Sequence, residues 1–99
     1  MTDKNMKGVT SIKRIAIPIL RRNRVRRAAL FGSASRGTMK KDSDVDILVD
    51  IKDDISLIGF IGIKLELEKA LGKKVDLVEY NTIKPVLREK ILKDQVKIL

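Results

Sequence analysis

The chain has 99 residues, 43% hydrophobic and only 3% aromatic, which is enough for one domain with a core of Ile, Leu and Val and too little for a second domain carrying its own substrate site. Without cysteine or histidine, disulfides, structural zinc, thiol nucleophiles and imidazole bases are excluded, and chemistry must use carboxylates, hydroxyls, lysine or arginine. The net charge of +9 is lopsided, because residues 1–41 hold 12 of the 22 basic residues against a single acid, Asp3.

Residues 1–8 read as a loose tail. From Val9 to Leu20 the apolar positions Val9, Ile12, Ile15, Ala16, Ile19 and Leu20 keep helical spacing, with Pro18 expected to kink or end the helix. The stretch RRNRVRR, Arg21 to Arg27, follows as a basic connector whose field attracts polyanions, although no aromatic interleaves the arginines to make a stacking platform for single strands. Nucleic acid is therefore an expectation that rests on charge alone, and a solvated helix end is the plainer reading.

Val25 to Phe31 reads as a short strand. Gly32-Ser33 then opens a brief helix or turn to about Gly37, and residues 38–43 form a polar loop. Asp44 to Ile51 is a second strand, followed by Asp53, Asp54 and Ser56 as turn and cap residues. Leu57 to Leu71 has helical repeats despite Gly59 and Gly62, each of which weakens a helix by up to ~1 kcal/mol, and Gly72 terminates it. Val75 to Val78 is a third strand. Thr82 to Leu92 is a last helix with Pro85 in its first turn, and Val96 to Leu99 is a short edge strand. The expected fold class is α/β (α+β): a small mixed β-sheet packed against helices, with residues 1–99 forming one domain.

The unusual feature is "GSASRGTMKKDSDVDILV", in which two aspartates enter an apolar strand although carboxylates are poor strand formers. Alternation puts Asp44 and Asp46 on one face, roughly 7 Å apart at their bases, and sends Val45, Ile47 and Val49 to the other face and the core. Two like charges so placed repel unless a cation sits between them. Magnesium suits carboxylate oxygens and keeps water for phosphate contact. Asp76, one strand later, repeats the pattern and would complete a two-metal site in which one ion activates the attacking hydroxyl and the other steadies a triphosphate. Gly32, lacking a side chain, and Ser33, with its hydroxyl, offer a turn and free amides for phosphate oxygens. Arg36 lies within one turn of that site, and Lys40 or Lys41 could reach it from the loop. Each feature has a plainer reading: Gly-Ser as a turn, Asp-x-Asp as strand-start chemistry, Asp76 as an edge charge.

Together these residues closely resemble the minimal nucleotidyltransferase family, a branch of the polymerase-beta-like nucleotidyltransferase superfamily, over roughly Ile15 to Leu92. The family signature of Gly-Ser, ten intervening residues and Asp-x-Asp is met by Gly32, Ser33, Asp44 and Asp46. Ser35 departs from the usual alanine before the arginine. The resemblance implies the nucleotidyltransferase fold, Mg2+ (two ions) on Asp44, Asp46 and Asp76, and ATP phosphates on Gly32 and Ser33 with Arg36 as a further contact. It also implies an antitoxin that silences a HEPN-type ribonuclease toxin by transferring AMP to a toxin tyrosine. The competing reading is a non-catalytic antitoxin that neutralises its partner by occlusion. No apolar run approaches membrane length, and residues 1–11 lack the apolar core of a signal peptide, so a cytoplasmic protein is expected.

Overall fold

In the computed structural model, which describes residues 4–32, 44–52 and 54–99, the central strand is β2, Val45–Ile51. Its Val45, Ile47, Leu48 and Val49 have no exposed surface, and their β-branched and leucine side chains favour a strand covered on both faces. β2 runs antiparallel to β1, Val25–Phe31, and parallel to β3, Val75–Glu79. A two-residue strand β4, Val96–Lys97, pairs antiparallel with the outer edge of β1, giving the order β3-β2-β1-β4. The expected mixed sheet and edge strand are thus present.

Helices α1, Lys4–Arg22, and α2, Leu57–Leu71, cover the face that carries Val45, Ile47 and Val49. Residues 4–8, expected as tail, are helical. Pro18 neither ends α1 nor stops it short of Arg22. Pro in a helix interior costs about 3 kcal/mol, but Ile19 and Leu20 are buried on its C-terminal side, each worth roughly 1.5–3 kcal/mol, so holding the last turn outweighs the lost backbone bond. Asn23 closes that end by donating from Nδ2 to Ile19 O at 2.8 Å and to Glu66 Oε1 at 3.2 Å.

The crossover from β2 to the parallel β3 runs through α2, as a parallel pair requires. Ser56 caps α2 by accepting the Gly59 N–H at 3.0 Å. Gly72 terminates it at φ +68°, donating its N–H to Glu68 O at 2.8 Å. Glu68 Oε2 in turn accepts the Val75 N–H at 2.9 Å, which fixes where β3 begins.

Beyond β3, Tyr80–Thr82 form a 3-10 turn and the last helix, α3, spans Pro85–Asp94 instead of starting at Thr82. The cause is Pro85, which excludes helical backbone from Lys84, found at ψ 138°. This segment also corrects the expected wet face of β2. Leu48 points to that face yet is fully buried, in a second cluster with Ala29 and Ile83 against which Phe31, Val78, Tyr80 and Ile91 pack.

Candidate active site

Three backbone relations place the acidic residues. In the parallel pairing of β2 with β3, Asp46 lies directly beside Asp76. The Val45 N–H donates to Lys74 O at 2.8 Å, so the ladder reaches the start of β2 and Asp44 stands just outside it on the same face as Asp46. In the antiparallel pairing with β1, Asp46 opposes Phe31, so the chain leaving β1 passes the Asp46 side chain at Gly32.

Asp46 is half-buried, while Asp44 and Asp76 are exposed. Neighbouring strands are about 4.8 Å apart, so Asp46 and Asp76 present like charges at close quarters, an arrangement that disfavours the sheet by about 0.2–1 kcal/mol. Nothing in the packing of Val45, Ile47, Val75 and Leu77 on the opposite face requires acids here. The oxygen-only donor set suits a hard divalent cation. Among the described residues, no three acidic side chains are gathered into a ready-made metal site, and the strand register sets Asp46 beside Asp76.

Gly32 takes φ +65°, a conformation that L side chains rarely adopt. A Cβ there would also collide with Asp46 Oδ2. The glycine therefore makes the turn and also leaves the Asp46 carboxylate its place, a reason the sequence, read for phosphate approach, does not reveal. Ser33, Arg36, Lys40 and Lys41 lie outside the described residues.

The same sheet face carries a second polar group that sequence reasoning missed. A bulge between Val25 and Arg27 sets two β1 residues against Asp50 of β2. Arg26 Nη2 therefore reaches Asp50 Oδ1 at 3.1 Å and Arg27 Nε reaches Oδ2 at 3.3 Å. The Arg27 guanidinium also lies 5.1 Å from the centre of the Tyr80 ring. Tyr80 donates its hydroxyl to Gln95 Oε1 at 2.8 Å, and burial, followed by the opposing effect of Arg27 and the smaller reinforcing one of Asp50, holds its phenol above the ordinary 10.0. Alternation from Asp46 through Leu48 to Asp50 was the available signal. A cleft of about 790 Å³ opens here, lined by Arg26, Arg27, Asp50, Tyr80, Arg88 and Lys97 among others. Asp50 lies four residues along β2 from Asp46, about 13 Å, so the cleft is separate from the paired acids.

These contacts account for much of the basic connector. Arg22 is ion-paired with Glu66, and Arg26 and Arg27 share Asp50, so these arginines are engaged within the fold.

The sheet order, the glycine turn at Asp46 and the paired acids on adjacent strands define a nucleotidyltransferase. The chain belongs to the family described as polymerase beta, nucleotidyltransferase, whose sequence profile matches residues 14–99. It is 45% identical over 92 residues to MJ0435 of Methanocaldococcus jannaschii, named as a candidate protein adenylyltransferase, covering 93% of this chain and 99% of that one. It is 43% identical over 74 residues to the protein adenylyltransferase MntA of Thermococcus cleftensis, covering 75% of each. Among solved structures, a candidate minimal nucleotidyltransferase superposes with TM-score 0.80 at 29% identity, over 97% of this chain and 98% of the other. A toxin–antitoxin complex with AMP-PNP gives 0.78 at 30% identity, over 88% of this chain and 72% of the other. A tri-AMPylated Shewanella oneidensis HEPN toxin bound to its MNT antitoxin gives 0.72 at 26%, over 92% and 71%. No helix among the described residues is long and apolar enough to cross a membrane.

Proposed function

We propose that this nucleotidyltransferase is an antitoxin that moves AMP from ATP to a hydroxyl, a tyrosine's, on a HEPN-type toxin and so silences it. The observation that carries the proposal is the direct pairing of Asp46 with Asp76 beside the glycine turn. The relatives add that proteins named as protein adenylyltransferases are 43–45% identical to it over the aligned residues and that a solved toxin–antitoxin complex of 30% identity holds AMP-PNP.

In this reading Asp44 and Asp46 hold Mg2+, with Asp76 completing the set. Bound there, the ions would lower the pKa of the acceptor hydroxyl and neutralise the triphosphate. The chain's own residues do the rest. Gly32 keeps the space in front of Asp46 clear, and Ser33 and Arg36 take the phosphates. Asp76, the more exposed member of the pair, faces the incoming acceptor and can receive its proton, since the chain has no histidine to do so. The hydroxyl oxygen forms a bond to the α-phosphorus, and the bond to the β-phosphate oxygen breaks to release pyrophosphate.

Neutralisation by occlusion is the alternative, and it leaves the facing carboxylates without a purpose. The test is transfer of label from α-labelled ATP to the co-purified partner by wild type and by Asp46→Asn. Label on the partner with wild type alone supports the proposal. An unlabelled but still neutralised partner with wild type would favour occlusion.

A further inference from the structure

The cleft beside Asp50 carries more positive charge than its own ion pairs use. Three elements bring cations to it: Arg26 and Arg27 from β1, Arg88 from α3 and Lys97 from β4. The carboxylates in its walls are Asp50 and Glu79, so four positive charges face two negative ones. Asp50 sits between Arg26 and Arg27 with its side chain only 23% exposed, whereas theirs are 57% and 64% exposed, which leaves both guanidiniums with donors turned to solvent. Arg88 donates to a carbonyl, Ile83 O at 3.4 Å, so no acid neutralises it. The side chain of Lys97 has no partner among the described residues. Cations gathered in a concave place repel one another and focus a field on whatever enters, and the pairing of Arg26 and Arg27 with Asp50 explains neither Arg88 nor Lys97.

We infer that this cleft receives an acidic segment of the acceptor protein and holds that protein while its hydroxyl stands at Asp76. The cleft opens on the sheet face of Asp46 and Asp76, about 13 Å along β2 from Asp46, so a protein seated at the paired acids extends over it. An extended segment spans that distance in about four residues, and Ile83 covers Leu48 in between, so the acidic residues lie at least that far from the acceptor residue if one segment carries both. The walls favour a polypeptide over a nucleic acid. Tyr80, the one ring in them among the described residues, carries Arg27 on a face and gives its hydroxyl to Gln95, which leaves no platform for successive bases. Asp50 and Glu79 repel a backbone charged at every nucleotide, whereas a polypeptide can set carboxylates on Arg88 and Lys97 and uncharged residues beside the two acids. The Asp50 carboxylate already held by Arg26 and Arg27 shows which group such guanidiniums fit. Naming the occupant as the acceptor rests on the transfer chemistry proposed above; the preference for carboxylates does not.

Tyr80 lines the cleft and is the chain's single tyrosine, with no tryptophan beside it, so its fluorescence reports occupancy there. Octaglutamate titrated into the full-length chain should change that signal, with an affinity that falls as salt is added. The double variant Arg88→Glu/Lys97→Glu, on exposed positions, should bind it at least tenfold more weakly. Arg14→Glu/Lys69→Glu, with the same net charge but on the helices of the opposite sheet face, should bind it like wild type. In transfer assays with the co-purified partner, the cleft variant should raise KM for the partner at least tenfold while kcat and KM for ATP stay within about twofold of wild type. Unchanged partner KM in the cleft variant would overturn the inference and leave the transfer reading standing, whereas octaglutamate bound in the cleft of a chain that labels no partner would refute transfer and support the acidic-ligand site. A Tyr80 signal indifferent to millimolar octaglutamate, equal losses in the two double variants, or tighter binding of oligouridylate than of octaglutamate would each overturn the inference.

Discussion

Gly32→Ala isolates the contact between the glycine turn and Asp46, because Gly72→Ala supplies a matched control. Both glycines sit in the left-handed region, at φ +65° and +68°. A Cβ at Gly72 would meet nothing within 4 Å, whereas one at Gly32 runs into Asp46 Oδ2. Each alanine should therefore lose about 1–2 kcal/mol for the backbone alone. Gly32→Ala should lose roughly a further 0.5–1.5 kcal/mol as Asp46 is pushed off its rotamer. Urea unfolding of both variants measures the two costs, and their difference should be about 1 kcal/mol. Activity should separate them far more sharply. Displacing a reacting group by about 1 Å can lower a rate by a factor of about 100, so Gly32→Ala should transfer AMP at least that much more slowly while Gly72→Ala stays near wild type. Equal stability losses together with equal transfer rates would show that the Gly32 turn does not bear on Asp46.

Asp46→Asn should abolish transfer and weaken magnesium-dependent ATP binding, whereas Asp76→Asn should keep most ATP affinity in calorimetric titration and lose transfer by orders of magnitude; retained transfer in the latter would move the acceptor-side role elsewhere, with Glu79 next along β3. Asp76→Asn should leave the metal-free protein as stable as wild type or up to ~1 kcal/mol more so in thermal unfolding, because one of two facing like charges is gone. Tyr80 is the chain's single tyrosine, and there is no tryptophan, so phenolate absorbance reads it directly. With its pKa raised in the fold, chiefly by burial, its contribution to stability is complete below pH 10.0 and is lost as pH rises through the raised value; Tyr80→Phe should remove that part of the alkaline destabilisation. Ser56→Ala should lower stability by about 1 kcal/mol through the lost cap and leave transfer unchanged, and a change in transfer rate would mean that α2 communicates with the site.

Residues whose chemistry is local were legible in the sequence. Ser56 and Gly72 bound α2 because capping is decided within a few residues, and Val45, Ile47 and Val49 declared their face by alternation. The facing of Asp46 and Asp76 was half legible. Alternation gives each residue its face, but only the strand register, fixed by the Lys74 carbonyl on the Val45 N–H and the Glu68 carboxylate on the Val75 N–H, sets them side by side. Leu48 shows what alternation misses. Its face was expected to be wet because its neighbours are acids, and it is dry because Ile83 and Ile91 arrive from more than 30 residues away. Arg26 and Arg27 were read as connector charge because a bulge, which turns both toward Asp50, leaves no reliable mark in the sequence. Pro18 looks like a helix stop in the sequence because its cost is local, whereas the burial of Ile19 and Leu20 beyond it is tertiary.

The most direct test of the central claim is the intact mass of the partner toxin after co-expression with this chain. Wild type should raise that mass by whole AMP units while Asp46→Asn leaves it unchanged. A partner that is neutralised yet unmodified, or one modified equally by both chains, would contradict catalysis at the Asp46–Asp76 pair.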